Sequence, residues 1–212
     1  MTRGKFIAFE GGEGMGKSTQ AHLLAEYLRE HGQTVVLTRE PGGTPGAEAI
    51  RSLLLSPPGE GWTRKAEALL FAAARADHVA RKIRPAIDDG HWVICDRFLD
   101  SSRAYQGEGG DLGDGTIRQL HDIGSGGLLP HLTIVLNAGA DDVAHRLTER
   151  DAGQTDAIGG RAEDYHKTVN AAFLDFAAAE PERFVIINGA GSIEDVHERV
   201  LIATEPLLKA KA

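Results

Sequence analysis

Residues 11–18, Gly11-Gly12-Glu13-Gly14-Met15-Gly16-Lys17-Ser18, follow the apolar run Lys5-Phe6-Ile7-Ala8-Phe9 and open a helical pattern that extends from Ser18 to His31. A strand, a glycine-rich turn and a Lys-Ser pair at the start of a helix make up the G-x-x-x-x-G-K-[ST] phosphate-binding loop in the setting it requires. The glycines let backbone N–H groups wrap a phosphate, and the helix N-terminus adds partial positive charge. In such a loop Lys17 reaches the β- and γ-phosphates and the Ser18 hydroxyl holds Mg²⁺. Gly11 to Thr19 is therefore the candidate ATP-binding segment.

Four further apolar runs follow this first strand, at 34–38, 91–95, 132–136 and 183–187. Each is about five residues long, rich in β-branched residues and without polar alternation, as expected of strands buried on both faces. Helical patterns lie between them at 47–55, 64–87, 116–123, 141–150, 164–179 and 193–208. Ser192 with Asp195 three residues on reads as a helix start, while the glycine-rich stretches 107–115, 124–127 and 153–160 read as loops. Strand–helix alternation predicts an α/β fold, a five-stranded parallel sheet with helices on both faces, whose ligands bind beyond the carboxyl ends of the strands.

The 212 residues carry 23 Lys+Arg against 31 Asp+Glu, a net charge of −8, which argues against nucleic acid or an anionic membrane as partner. The imbalance is uneven: Arg39 to Arg103 holds ten basic and nine acidic residues, with its arginines spaced singly. Such spacing fits either a solvated surface or arginines that converge on an anion. A chain of this length builds its own core as a single domain over 1–212. Cys95 is the only cysteine, which excludes an internal disulfide and fits a reducing, cytoplasmic setting. No apolar run has the length of a membrane span, and the start of the chain is too short in apolar residues for a signal peptide.

At the end of the third predicted strand, Trp92-Val93-Ile94-Cys95-Asp96-Arg97 sets a carboxylate and a guanidinium on the edge that holds the phosphate loop. Asp96 is placed to hold a Mg²⁺-bound water, or alternatively to cap the next turn. The loop's glycines lack the G-x-G-x-x-G spacing of a dinucleotide dehydrogenase, and no N-K-x-D-like guanine reader occurs. A small kinase and a non-catalytic nucleotide-binding module both remain open.

Four ordered motifs narrow the choice: Thr38-Arg39-Glu40-Pro41-Gly42-Gly43-Thr44, Leu70-Phe71-Ala72-Ala73-Ala74-Arg75, Asp96-Arg97-Phe98, and Asp100-Ser101-Ser102-Arg103-Ala104-Tyr105-Gln106-Gly107. Together with the phosphate loop they closely resemble the bacterial thymidylate kinases, over nearly the whole chain. The resemblance implies transfer of phosphate from ATP with Mg²⁺ to dTMP, a homodimer, and specific roles for these residues. Phe71 would stack on thymine and Arg75 donate to a thymine carbonyl, with Ser102 and Gln106 as the other polar readers of the base edge. On pattern alone Phe71 reads as core. Tyr105 would crowd the sugar 2′ position, or simply pack. Arg39, Glu40 and Pro41 would begin the monophosphate-binding segment, and Arg51 and Arg97 would clamp the dTMP phosphate, a task suited to bidentate guanidinium. Glu13 resembles the acidic loop residue that in this family goes with arginines delivered by a mobile lid. The lid would be residues 146–162, where Ala157 stands at the usual arginine position and Gly159 at the usual glutamate, leaving Arg150 and Arg161 as candidate catalytic arginines. A kinase for another nucleoside monophosphate and a catalytically silent module are the competing readings.

Overall fold

The computed structural model describes residues 4–139 and 163–209. Five strands, β1 (Phe6–Glu10), β2 (Val35–Arg39), β3 (Trp92–Asp96), β4 (Leu132–Asn137) and β5 (Phe184–Asn188), form one parallel sheet in the order β2-β3-β1-β4-β5. The strands fall where the apolar runs predict them, about one residue later in the chain. Eight helices occur among the described residues: α1 (Lys17–Glu30), α2 (Pro45–Leu55), α3 (Arg64–His78), α4 (Arg84–Asp88), α5 (Leu99–Ser102), α6 (Asp114–Ser125), α7 (Glu163–Ala179) and α8 (Ile193–Lys209).

Every residue of β1 is buried, because the sheet is covered on both faces. Ile7 and Phe9 pack with Leu24, Leu28, Val196 and Val200 of α1 and α8. Phe6 and Ala8, pointing the other way, pack with Ile83, Ile87, Phe98 and Ile117. This is the period-two alternation of a strand, apolar on both sides. Register brings Phe9 and Arg39 beside Asp96 and puts Glu10 beside Val135, so Glu10, Arg39 and Asp96 end on one edge.

Local chemistry fixes the element ends. Thr44 caps α2 by accepting from the Ala47 N–H, with Pro45 directly after it, and Thr63 caps α3 in the same way. Ser192 and Asp195 exchange side-chain-to-backbone bonds of 3.0 and 3.1 Å at the start of α8, the capping box expected there. By contrast α1, which opens with Gly16 as its N-cap, has no side-chain cap.

The single helix expected over 64–87 is α3 and α4 joined by a wide π turn, Val79–Ile83. The wider turn lies immediately before Pro85, whose ring and missing N–H do not fit a regular helical interior. A second helical stretch, α5 and the π turn Arg103–Glu108, runs into the stretch expected to be a loop at 107–115, and α6 starts at Asp114, so that loop is cut to 109–113. Likewise α6 runs through Gly124 to Ser125 and shortens the loop expected at 124–127. The expected helix at 141–150 lies outside the described residues.

Candidate active site

The phosphate loop turns sharply out of β1. Gly11 has φ of 126°, and a Cβ there would sit 2.4 Å from the Leu136 carbonyl oxygen, so only glycine lets the loop leave the sheet at this point. Gly16, also left-handed, delivers the chain into α1. Lys17 is buried and its Nζ donates to the Gly12 carbonyl across the loop. Burial, with Arg97 adding to it, lowers the Lys17 pKa to about 7 against the opposing pull of Asp96, Glu10 and Glu13. Met15 turns its side chain into the core, which leaves only its backbone to the ligand. Gly14, Gly16, Lys17, Ser18 and Thr19 line one wall of a wide cleft closed opposite by Gly191, Ser192, Ile193 and Val196, a stretch whose pattern pointed only to a helix start at Ser192.

Ser18 donates its hydroxyl to Asp96 Oδ2, bringing the two candidate metal ligands together. Asp96 Oδ1 is buried and takes no hydrogen bond among the described residues. A carboxylate oxygen left without a partner beside a hydroxyl and a phosphate loop fits a hard cation that completes its shell with phosphate and water.

Arg97 lies between this loop and a second pocket. Its backbone is left-handed, with φ of 68°, a strained conformation for a non-glycine residue. That geometry turns the guanidinium inward. Nη1 donates to the Gly11 carbonyl at 3.2 Å and to Ser101 Oγ at 3.0 Å, and Nη2 donates to the Tyr105 hydroxyl at 3.3 Å. Burial opposes its charge, but Tyr105, Asp96 and Glu10 outweigh that and hold Arg97 protonated.

The second pocket opens to solvent, and ten predicted substrate or loop residues meet in its lining: Glu13, Glu40, Pro41, Arg51, Phe71, Arg75, Arg97, Ser102, Tyr105 and Gln106. Phe71 is half-buried and forms a wall instead of filling the core. Arg51 Nη1 donates to the Pro41 carbonyl at 2.8 Å, tying α2 to the segment after β2. Arg75 spends Nε on Glu40 Oε2 at 2.7 Å and Nη2 on the Phe98 carbonyl and Ser102 Oγ. Its Nη1 keeps no partner among the described residues and is the donor left for a ligand. Gln106 donates Nε2 to Glu67 Oε1 at 2.8 Å, which leaves its amide oxygen as an acceptor.

Arg39 does not join this pocket. It is half-exposed, pairs with Glu48 at 3.1 Å and lines a neighbouring groove with Ser18 and Asp96. Arg150, Arg161 and the expected lid at 146–162 lie outside the described residues. Motif reading also missed Glu10, at the end of β1. Its carboxylate accepts from the backbone N–H of Phe98 and Ser101 and from Ser101 Oγ, thereby capping α5, which has no cap of its own. Burial, and then Asp100, raise its pKa to about 7. The signal was a charged residue inside an otherwise apolar strand.

A parallel sheet with a phosphate loop, a Ser–Asp pair beside it and an arginine shared with an adjoining base-sized pocket defines a P-loop phosphotransferase that takes two substrates. The sequence profile described as thymidylate kinase matches residues 9–200. A thymidylate kinase of Rhizorhabdus wittichii is 55% identical over 97% of this chain and 99% of its own. One from Symbiobacterium thermophilum is 47% identical over 96% and 94%. The crystal structure of the thymidylate kinase from Ehrlichia chaffeensis superposes with a TM-score of 0.78 at 35% identity, covering 95% of this chain and 98% of that one. The chain belongs to the thymidylate kinase family.

Proposed function

We infer that the protein transfers the γ-phosphoryl group of ATP to dTMP, giving ADP and dTDP. One observation carries the choice of base. Arg75 Nη1 offers a donor and Gln106 Oε1 an acceptor in the same pocket beside Phe71. Thymine presents the matching edge, a carbonyl next to an N–H; cytosine presents the reverse, while uracil shares the edge and guanine carries it on a larger, fused ring. The reading of Phe71 as the stacking wall, of Ser102 as the second base contact and of Tyr105 as the group against the sugar rests on their place in that lining.

The dTMP phosphate would lie toward Arg97 and Arg51, and the triphosphate in the loop over Lys17. An oxygen of the dTMP phosphate forms the new bond to the γ-phosphorus while the bond to the β,γ-bridging oxygen breaks and ADP leaves with that electron pair. No proton transfer is required of the protein. Its task is alignment and charge neutralisation by Lys17, Arg97 and the loop amides. Glu13 faces the same pocket from the loop, within reach of the acceptor side. Mg²⁺ on Ser18 and Asp96 would supply further neutralisation of the phosphate oxygens. Arg150 and Arg161, on the lid segment 146–162 of a single domain, are proposed to complete the positive charge.

A homodimer, and action in the cytoplasm, form part of this reading. Leu69 of α3 and Ile123 of α6 stand 56% and 85% exposed on two helices that pack together, apolar side chains that a second copy could cover. None of the described helices is long and apolar enough to cross a membrane. Phosphorus NMR of dTMP mixed with ATP, Mg²⁺ and the protein tests the reaction. The β-phosphate resonance of dTDP is expected to grow as that of ADP does; ADP formation without dTDP would reject phosphoryl transfer to this acceptor.

A further inference from the structure

Behind the base pocket, three buried side chains, Thr38 on β2, Glu40 just after it and His78 of α3, form one line of hydrogen bonds. His78, the last residue of α3, is completely buried. Its Nδ1 lies 2.9 Å from Glu40 Oε1, and its Nε2 lies 2.8 Å from Thr38 Oγ1 on β2. Glu40, buried in turn, uses its other oxygen to accept from Arg75 Nε at 2.7 Å. Because the carboxylate is paired with a guanidinium it can only accept, so the Nδ1–H of His78 donates to it. The far end of the line is closed by Gly43, whose Cβ would stand 2.5 Å from His78 Nε2 and 2.6 Å from Thr38 Oγ1. The loop backbone therefore seats directly on the imidazole, and no other residue fits there.

We propose that His78 is a positioning residue for base recognition: through Glu40 it fixes the guanidinium of Arg75 so that Nη1 meets the base. The inference rests on Arg75 being the base reader, as argued above. The geometry gives it a physical basis. Glu40 holds Arg75 by one oxygen only, and a carboxylate bonded on one side is free to swing about its terminal torsion. The bond from His78 fixes the second oxygen, and Thr38 fixes the ring that makes it. Arg75 in turn holds Ser102, so the orientation carries into the second reader as well. His78 touches no reacting atom; its effect is on how well one base is held and how well others are refused.

Two substitutions separate the two ring nitrogens. Asparagine places its amide nitrogen where Nδ1 stands and keeps the bond to Glu40, whereas glutamine reaches the position of Nε2 and keeps the bond to Thr38. With ATP saturating, H78N is expected to leave the KM for dTMP within about twofold of wild type. H78Q is expected to raise it about tenfold, the effect of losing one oriented hydrogen bond, with kcat changed less than about twofold. H78Q should also narrow the preference for dTMP over dCMP. Equal KM changes in the two variants, none in either, or a larger rise in H78N than in H78Q would overturn the relay, since loss of packing alone falls harder on the smaller asparagine. A second readout needs no variant: the imidazole Nδ1–H of wild-type His78 is expected to be shielded from solvent exchange and to shift when dTMP binds. An unmoved resonance in the dTMP complex contradicts the proposal. Wild-type protein that fails to bind dTMP would instead reject the base reading on which it stands, before any variant is compared.

Discussion

Arg97 touches the backbone at the mouth of the phosphate loop, Ser101 of α5, and the hydroxyl of Tyr105. A lysine in its place keeps one charge but cannot reach three partners from a planar fork. R97K is therefore expected to lower kcat by about 10²-fold or more while leaving ATP affinity within a few-fold, as steady-state and equilibrium titrations would show. An unchanged kcat would remove Arg97 from the transferring phosphate. Asp96 makes a separate prediction. Its unpartnered Oδ1 leads us to expect that D96N needs at least about tenfold more Mg²⁺ for half-maximal rate, checked by titrating Mg²⁺ at fixed ATP. These side chains were legible in the sequence because the loop and the strand-end Asp-Arg pair have local signatures. Glu10 and His78 were not. Glu10 finds its partners at Phe98 and Ser101, and His78 finds its own at Thr38 and Glu40, pairings that only the closed sheet reveals.

The segment that carries Ser102, Tyr105 and Gln106 is short and irregular, so something outside it must hold it. Glu10 caps its start, and a buried ion network holds its back. Asp100 accepts from Arg103 at 2.7 Å and from Arg183, just ahead of β5, at 2.7 and 3.0 Å, while Arg103 also bonds Asp114 of α6. Burial opposes the charge on Asp100, but these arginines outweigh it and keep its carboxyl low. Removing one arginine leaves a buried charge half-compensated, so R183M is expected to cost about 3 kcal/mol, or roughly 10 °C in Tm, measurable by thermal unfolding. A change under about 1 kcal/mol would mean that the network is dispensable.

A second prediction concerns α6, where His121 is buried against Phe98 and accepts no charge readily. Burial first, then Arg75, lower its pKa from 6.5 to about 4. The unfolded chain thus binds a proton that the folded one refuses. Stability should fall as pH drops from 6.5 to 4, by about 3 kcal/mol from this group, and be unaffected by it above 6.5. The carboxylates lose stability over the same range, so the comparison with H121N isolates the term: the variant's unfolding free energy should depend less steeply on pH between 4 and 6.5. Strands and most helices were visible from apolar period and caps. The stretch at 99–108 was not, because its anchors are charged residues that look solvated in a linear reading.

Across the molecule, parallel strand order sends every strand's carboxyl end to one edge, and this is why motifs spread from Gly11 to Gln106 meet there. That convergence also reconciles a chain of net charge −8 with polyanionic substrates: of the arginines scattered between positions 39 and 103, Arg51, Arg75 and Arg97 meet in one pocket, though Arg39 turns away to Glu48. Light scattering is expected to give twice the mass of a 22.7 kDa chain, and an aspartate at Ile123 to shift it toward one. A wild-type monomer would reject the homodimer. The reading as a whole turns on which acceptor the pocket selects. ADP release measured with ATP and each of dTMP, dUMP, UMP, CMP, AMP and GMP decides it. We expect the highest kcat/KM with dTMP, with dUMP next at about tenfold lower, the range one methyl group allows. Preference for a purine monophosphate, or ATP binding with no turnover of any of the six, would contradict a dTMP kinase.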